Sequence, residues 1–181
     1  TVPRGPHYGC LGPQGSGKTT TIRMLCGLLT PDGGQGTCLG FDILKQPDRI
    51  KEQVGYMTQK FSLYEDLSIR ENLDFIGRMY RIRNRKQRVA QALEDLGLAN
   101  RAKQLAGTLS GGWKQRLAPA ACLLHDPPSL LLDAPPAGVE PKARRDFWDD
   151  TRRLSPHGAT ALASTQYRVP AVQCYPIASI A

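Results

Sequence analysis

The segment "GPQGSGKTT", residues 12–20, constrains the fold more than any other part of the chain. It satisfies the pattern G-x-x-x-x-G-K-[ST] with Gly12, Gly17, Lys18 and Thr19. From average residue usage, a chance match is expected on the order of once in a hundred chains of this length. Here the motif also has the neighbours it requires. "HYGCLG" before it reads as a short buried strand, and "KTTTIRMLCGLL" after it reads as an apolar helix. Glycines at 12, 15 and 17 let a loop wrap closely enough for backbone N–H groups to face phosphate oxygens. A helix starting near Lys18 adds its positive N-terminal dipole. Lys18 is expected to reach the β- and γ-phosphates of a nucleotide, and the Thr19 hydroxyl to ligate Mg²⁺. Gly12, Gly15, Ser16, Gly17, Lys18, Thr19 and Thr20 are therefore the expected cradle for phosphates.

Beyond the loop, strand and helix patterns alternate. "PDGGQG" reads as loop, "TCLG" as a short strand, and "VGYMTQ" as a strand ending at Gln59. Ser68-Ile-Arg-Glu71 is a capping-box signature that opens a helix through about Ile82. A second helix covers about Arg85 to Leu96, with Val89, Leu93 and Leu96 on one face and Gly97 as its stop. After "LSGG" come another helix, a strand Ser129 to Asp133, a helix "KARRDFWDDTRRL" and a strand "TALAST". Such alternation implies a mostly parallel sheet covered by helices. The stretch between Gln59 and Leu109 has no strand signal and reads as a helical insert.

At 181 residues the chain suits one domain with a real core. No apolar run approaches the ~20 residues needed to cross a bilayer, and "TVPRGPHYGC" lacks the apolar core of a secretory signal. Five scattered cysteines without a C-x-x-C pair make neither a zinc pattern nor a disulfide framework. A net charge of +8 raises the question of an anionic partner. Its densest cluster, "RMYRIRNRKQR", is interrupted by Met79, Ile82 and Val89 at helix-like intervals, the pattern of a solvated helical face. A phospholipid or ribosomal RNA surface is the other reading.

With "LSGG" well downstream of the phosphate loop and "LLLD" about twenty residues after it, the chain resembles an ABC-family ATPase domain. "TTTIRMLCGLLTPDGG", "VGYMTQKFSLYEDLSIRENLDF" and "GVEPKARRDFW" are similar to the multidrug and drug-resistance exporter branch. The resemblance implies an α/β P-loop NTPase core, about 1–60 and 120–181, with an inserted helical subdomain, about 61–119. It also implies that the antiparallel strands of the family's N-terminal part are largely missing. By the same resemblance Gln59 reaches the metal and the attacking water, and Asp133 holds the Mg²⁺ shell together with Thr19. Ser110, Gly111 and Gly112 close on the γ-phosphate held by a second subunit. The implied cofactors are ATP and Mg²⁺. The implied partners are a transmembrane permease and a second ABC domain, at the cytoplasmic face of the membrane.

Several positions depart from that pattern. Ala134 stands where the family has the glutamate that polarises water, and a methyl group cannot accept a proton. Gln166 stands at the switch histidine, where an amide can hydrogen-bond phosphate but cannot titrate. Pro136, Trp113 and Glu140 replace the usual threonine, glutamine and aspartate. Pro119 falls inside an expected helix, at a cost of about 3 kcal/mol or a kink. Pro170 and Pro176 break a segment that is helix-like in relatives. The expected function is Mg-ATP binding coupled to a membrane partner, with weak intrinsic turnover. The alternatives are a hydrolysis-deficient regulatory half-site and a soluble ribosome-associated ABC protein.

Overall fold

The computed structural model describes residues 8–58, 61–133, 147, 149–151, 159–165 and 177–179. Backbone packing divides the chain into two compact units: Thr1–Gln59 with Pro127–Ala137 and Gly158–Ala181, and Lys60–Asp126 with Gly138–His157.

The first unit is built on a five-stranded sheet. Its strands are β1 (Tyr8–Leu11), β4 (Val54–Met57), β5 (Ser129–Leu132), β6 (Thr160–Thr165) and β7 (Ile177–Ser179), in the order β4-β5-β6-β1-β7. Every pairing in it is parallel. The four residues of β5 are all buried, which is why it reads as an unbroken leucine run rather than an alternating one. Helices α1 (Lys18–Leu25) and α2 (Pro47–Gln53) cover the sheet, and Ile22, Cys26, Ile50, Val54 and Leu131 form one buried cluster. A small antiparallel hairpin, β2 (Thr37–Cys38) and β3 (Phe41–Asp42), precedes α2.

The helix expected to reach Leu29 ends four residues early. Gly27 takes φ 71° after Cys26, and Leu28 N–H donates to the Arg23 carbonyl at 2.9 Å, closing the helix end. A Cβ at position 27 would also lie 2.8 Å from the Pro47 carbonyl, so glycine is required there twice over. The hairpin strand β3, helix α2 and strand β7 were not expected from sequence. For α2 the signal existed, with Pro47 at the first helical position and Asp48 in the first turn.

The second unit carries α3 (Ile69–Met79), α4 (Arg85–Asp95) and α5 (Gly111–Leu123), with single-turn 3-10 helices at Ala99–Arg101 and Ala106–Thr108. Ser68 caps α3 as expected: its hydroxyl accepts from Glu71 N–H, and the Glu71 carboxylate accepts from Ser68 N–H. Ser68→Ala should lower stability by about 1 kcal/mol. Chemical denaturation of both forms checks this, and an unchanged midpoint would count against the cap. Helix α3 stops at Met79 rather than near Ile82, because Arg81 turns to φ 53° and Ile82 N–H donates to the Gly77 carbonyl at 2.9 Å. Ile69, Leu73, Val89, Leu93, Leu96 and Leu117 are buried.

The basic cluster is partly scaffold. Arg85 and Arg78 both donate to Asp74, at 2.6 and 2.9 Å, and hold its carboxyl below the usual range, with Arg85 the larger cause. Arg88 donates to the Leu124 carbonyl at 3.2 Å, at the end of α5. Arg81, Arg83 and Lys86 are exposed. Helix α5 continues through the buried Pro119, whose missing N–H leaves the Gln115 carbonyl without its helical donor. Of the expected helix at 142–154, Phe147 and residues 149–151 are helical, and the rest lies outside the described residues.

Candidate functional site

The loop between β1 and α1 is shaped by two glycines. Gly15 has φ 88° and Gly17 φ 83°, and neither has any atom within 4 Å of where a Cβ would stand. Their requirement is therefore conformational, and the space beside the loop is open. Gly12 is buried at the end of the strand, whereas Pro13, Gln14 and Gly15 are exposed. Gly17 caps α1 without any side-chain hydrogen bond, and the first turn of α1 holds no acidic residue. The α3 N-terminus is capped by its own Ser68 hydroxyl and Glu71 carboxylate; α1 has no side-chain cap hydrogen bond and no acidic residue in its first turn, which suits its N-terminal N–H groups and positive dipole end to an anion.

Lys18 folds its ammonium back over this loop. Nζ donates to the carbonyls of Gly12 and Pro13, at 2.8 and 2.6 Å, and to Ser16 Oγ at 3.2 Å. All three ammonium protons are thereby directed at the loop, and the charge sits where the loop closes. Beneath it Cys10 is buried, which pushes its thiol up, with the Lys18 charge acting the other way.

Thr19, on the first turn of α1, donates from Oγ1 to Asp133 Oδ1 at 2.8 Å. Asp133 follows β5 directly, is 3% exposed, and donates its N–H to the Met57 carbonyl at 2.9 Å. A second hydroxyl reaches the same carboxylate oxygen: Ser164 Oγ of β6 donates to Asp133 Oδ1 at 3.0 Å. Sequence reasoning did not single out Ser164. Its hydroxyl is one of three in the strand TALAST, with Thr160 and Thr165, and nothing in the sequence set it apart from them. Tyr56, on β4, accepts a 3.4 Å hydrogen bond from Arg23 of α1; burial pushes its phenol up, and the arginine works against that.

These residues suit a magnesium–nucleotide complex. A lysine ammonium, open glycine positions and an uncapped helix N-terminus meet the needs of a polyphosphate. Thr19 and Asp133 offer the hard oxygen ligands that Mg²⁺ takes. Among the described residues no group of three or more His, Cys, Asp or Glu could hold a metal alone. A cation here would complete its shell with water and phosphate oxygens, as Mg²⁺ does.

The remaining expected residues fall in two places. Ser110, Gly111 and Gly112 lie in the second unit, exposed at the start of α5. Ser110 is the N-cap, yet its hydroxyl makes no cap hydrogen bond. Neither glycine has an atom within 4 Å of its Cβ direction, so packing within the chain does not require them. Trp113, next along, has the guanidinium of Arg116 at 4.8 Å and that of Arg101 at 5.6 Å from its ring centre. Arg116 also pairs with Asp150 at 2.6 Å. Gln59, Ala134 and Gln166 lie outside the described residues, as do Pro136, Glu140, Pro170 and Pro176.

The sequence profile of the ABC transporter family matches residues 1–137. The chain is 41% identical over 175 residues to the probable multidrug ABC transporter ATP-binding protein YbhF of Escherichia coli, covering 96% of this chain and 30% of that protein. It is 40% identical over 168 residues to the daunorubicin/doxorubicin resistance ATP-binding protein DrrA of Streptomyces peucetius, covering 92% of this chain and 51% of that one. The chain thus spans about half or less of the length of these relatives. Among solved structures, an ATP-binding subunit of an ABC transporter superposes with a TM-score of 0.83 at 27% identity, over 99% of this chain and 76% of that one. An ATP-binding cassette dimer bound to ADP and Pi shares the fold, with a TM-score of 0.84 at 24% identity over 99% of this chain and 83% of that one. With the family profile matching residues 1–137 and 41% identity to an ABC transporter ATP-binding protein, the chain belongs to the ABC transporter family.

Proposed function

We propose that this chain is the ATP-binding domain of an ABC exporter and that it binds Mg-ATP at Gly12 to Thr20 with little turnover of its own. The observation that supports the binding half is the cradle itself. Lys18 holds its charge over the loop, and Thr19 is tied to Asp133 at 2.8 Å. Bound Mg²⁺ supplies neutralisation of charge shared between the β- and γ-phosphates. Lys18 orients the outer phosphates, the loop N–H groups and the α1 dipole hold the inner ones, and Thr19 with Asp133 holds the metal shell. By the family resemblance, Gln59 would serve that shell as well. Ser110, Gly111 and Gly112 serve the γ-phosphate bound by a second ABC domain, which fits their exposure and their freedom from any packing role.

The low turnover follows from Ala134 and Gln166, since neither side chain can take a proton from water at neutral pH. The chain then acts as the hydrolysis-poor half of a paired site, where bound ATP favours the closed dimer by differential binding. The relatives named for multidrug and daunorubicin/doxorubicin resistance support an exporter, with the transported molecule selected by a transmembrane permease. No helix among the described residues is long and apolar enough to cross a membrane; the proposed location is the cytoplasmic face, docked on that permease. Calorimetric titration with ATP in magnesium, paired with a phosphate-release assay, tests both halves. Saturable binding with phosphate release near background is expected. Absence of binding refutes the site, and release at an ordinary ATPase rate refutes the low-turnover reading.

A further inference from the structure

We propose that Ser164 is a positioning residue for the metal half of this site, fixing the Asp133 carboxylate through a hydrogen bond from β6. The inference rests on the nucleotide-site reading above and assigns a role to a residue outside its motifs.

The topology explains why this residue can act there. Strand β6 lies between β5, which ends at Asp133, and β1, which leads into the phosphate loop. The ladders pair Leu132 with Ala163 and Cys10 with Ser164. Ser164 therefore stands one step past the last β5 pair, beside Asp133. Its residue is 1% exposed and Asp133 3% exposed, so water competes little for either group.

The carboxylate is held by two hydroxyls on one oxygen. Thr19 Oγ1 and Ser164 Oγ both donate to Asp133 Oδ1, at 2.8 and 3.0 Å, from a helix and from a strand. Two donors from separate elements fix the rotation of the carboxylate and turn Oδ2 to the opposite side. Thr19 has one hydroxyl proton; with that proton on Asp133, its lone pairs remain for a cation. Of the two donors, Ser164 is the one with no other part in holding nucleotide. Outer partners that orient a metal's ligands in this way are worth about 10- to 100-fold in metal affinity.

A buried strand serine can also serve stability alone, and Ser129 supplies the control. It is buried in the neighbouring strand, and its hydroxyl donates to the Thr160 carbonyl at 3.2 Å. ATP binding to the purified chain is measured by calorimetry in magnesium chloride and again in EDTA, for the wild type, Ser164→Ala and Ser129→Ala. The expected result is a loss of about tenfold or more for Ser164→Ala in magnesium, with its EDTA affinity unchanged and Ser129→Ala unaffected in both. Equal losses for Ser164→Ala in both buffers, or no loss in either, overturn the inference. A wild-type chain that binds ATP in neither buffer overturns the site reading, and the inference with it. Should Ser164→Ala not fold, Ser164→Cys keeps the side-chain length with a weaker donor and is judged by the same difference between buffers.

Discussion

Lys18→Ala should abolish ATP binding, with a loss in affinity of at least about 100-fold, while leaving the fold intact. The ammonium holds the carbonyls of Gly12 and Pro13 at 2.8 and 2.6 Å and the Ser16 hydroxyl at 3.2 Å. Those carbonyls present partial negative charge where a phosphate must approach, and the lysine converts that place into a positive one. A unit charge about 4 Å from a phosphate oxygen is worth about 4 kcal/mol at an effective dielectric near 20. Part of that attraction is offset, because the ammonium must give up loop contacts to meet the phosphate. The remainder still corresponds to about two powers of ten or more. Stability should change little, because Lys18 is only partly buried and water can reach the freed carbonyls. Calorimetry for affinity and thermal unfolding for the fold separate the two effects. A variant that unfolds as the wild type does and binds ATP equally well would remove Lys18 from the site.

Lys18→Arg should not restore binding. Arginine carries the same charge, but its planar guanidinium cannot place three donors at one point as the ammonium does here. The geometry, rather than the charge alone, sets the requirement.

How much of this was legible in sequence depended on whether the decisive interaction was local. The strand, glycine turn and helix around residues 8–25, the Ser68–Glu71 cap and the Gly97 stop are each set within a few residues, and each was read correctly as local structure. Gly97 turns to φ 68° just after α4, as a helix-ending glycine should. The end of α3 was missed because Arg81, not glycine, takes the left-handed conformation, and nothing in its side chain announces that. The end of α1 was missed although Gly27 was present, because the leucines after it extended the apolar pattern. Strand β7 is only three residues long and is a strand by virtue of pairing with β1, a partner more than 160 positions away. Ser164 was hidden for the same reason. Its role depends on the order in which β5, β6 and β1 lie side by side, and that order is not written in any one segment. Asp133 was found by its motif, but its two hydroxyl partners come from positions 114 residues before it and 31 after it.

Restoring both altered positions, Ala134→Glu with Gln166→His, should raise ATP turnover by about 10²- to 10⁴-fold, the range a general base contributes. The expectation begins at Asp133. Its carboxylate already accepts hydrogen bonds from Thr19 and Ser164, so on the proposed reading the metal half of the site needs no substitution. On the proposed reading, what the chain lacks is an acceptor for the proton of the attacking water. A glutamate at 134 follows that fixed aspartate directly in the chain and supplies one. Gln166→His should add less by itself, because the amide can already hydrogen-bond a γ-phosphate and loses only the capacity to carry charge. The gain should therefore appear mainly in kcat, with ATP affinity little altered, since neither residue belongs to the cradle at Gly12 to Thr20. Adding Lys18→Ala to the double variant should return turnover to background, which ties the new activity to this site. If the double variant binds ATP as the wild type does and gains no turnover, the missing base is not what limits hydrolysis, and the low-turnover reading loses its chemical cause.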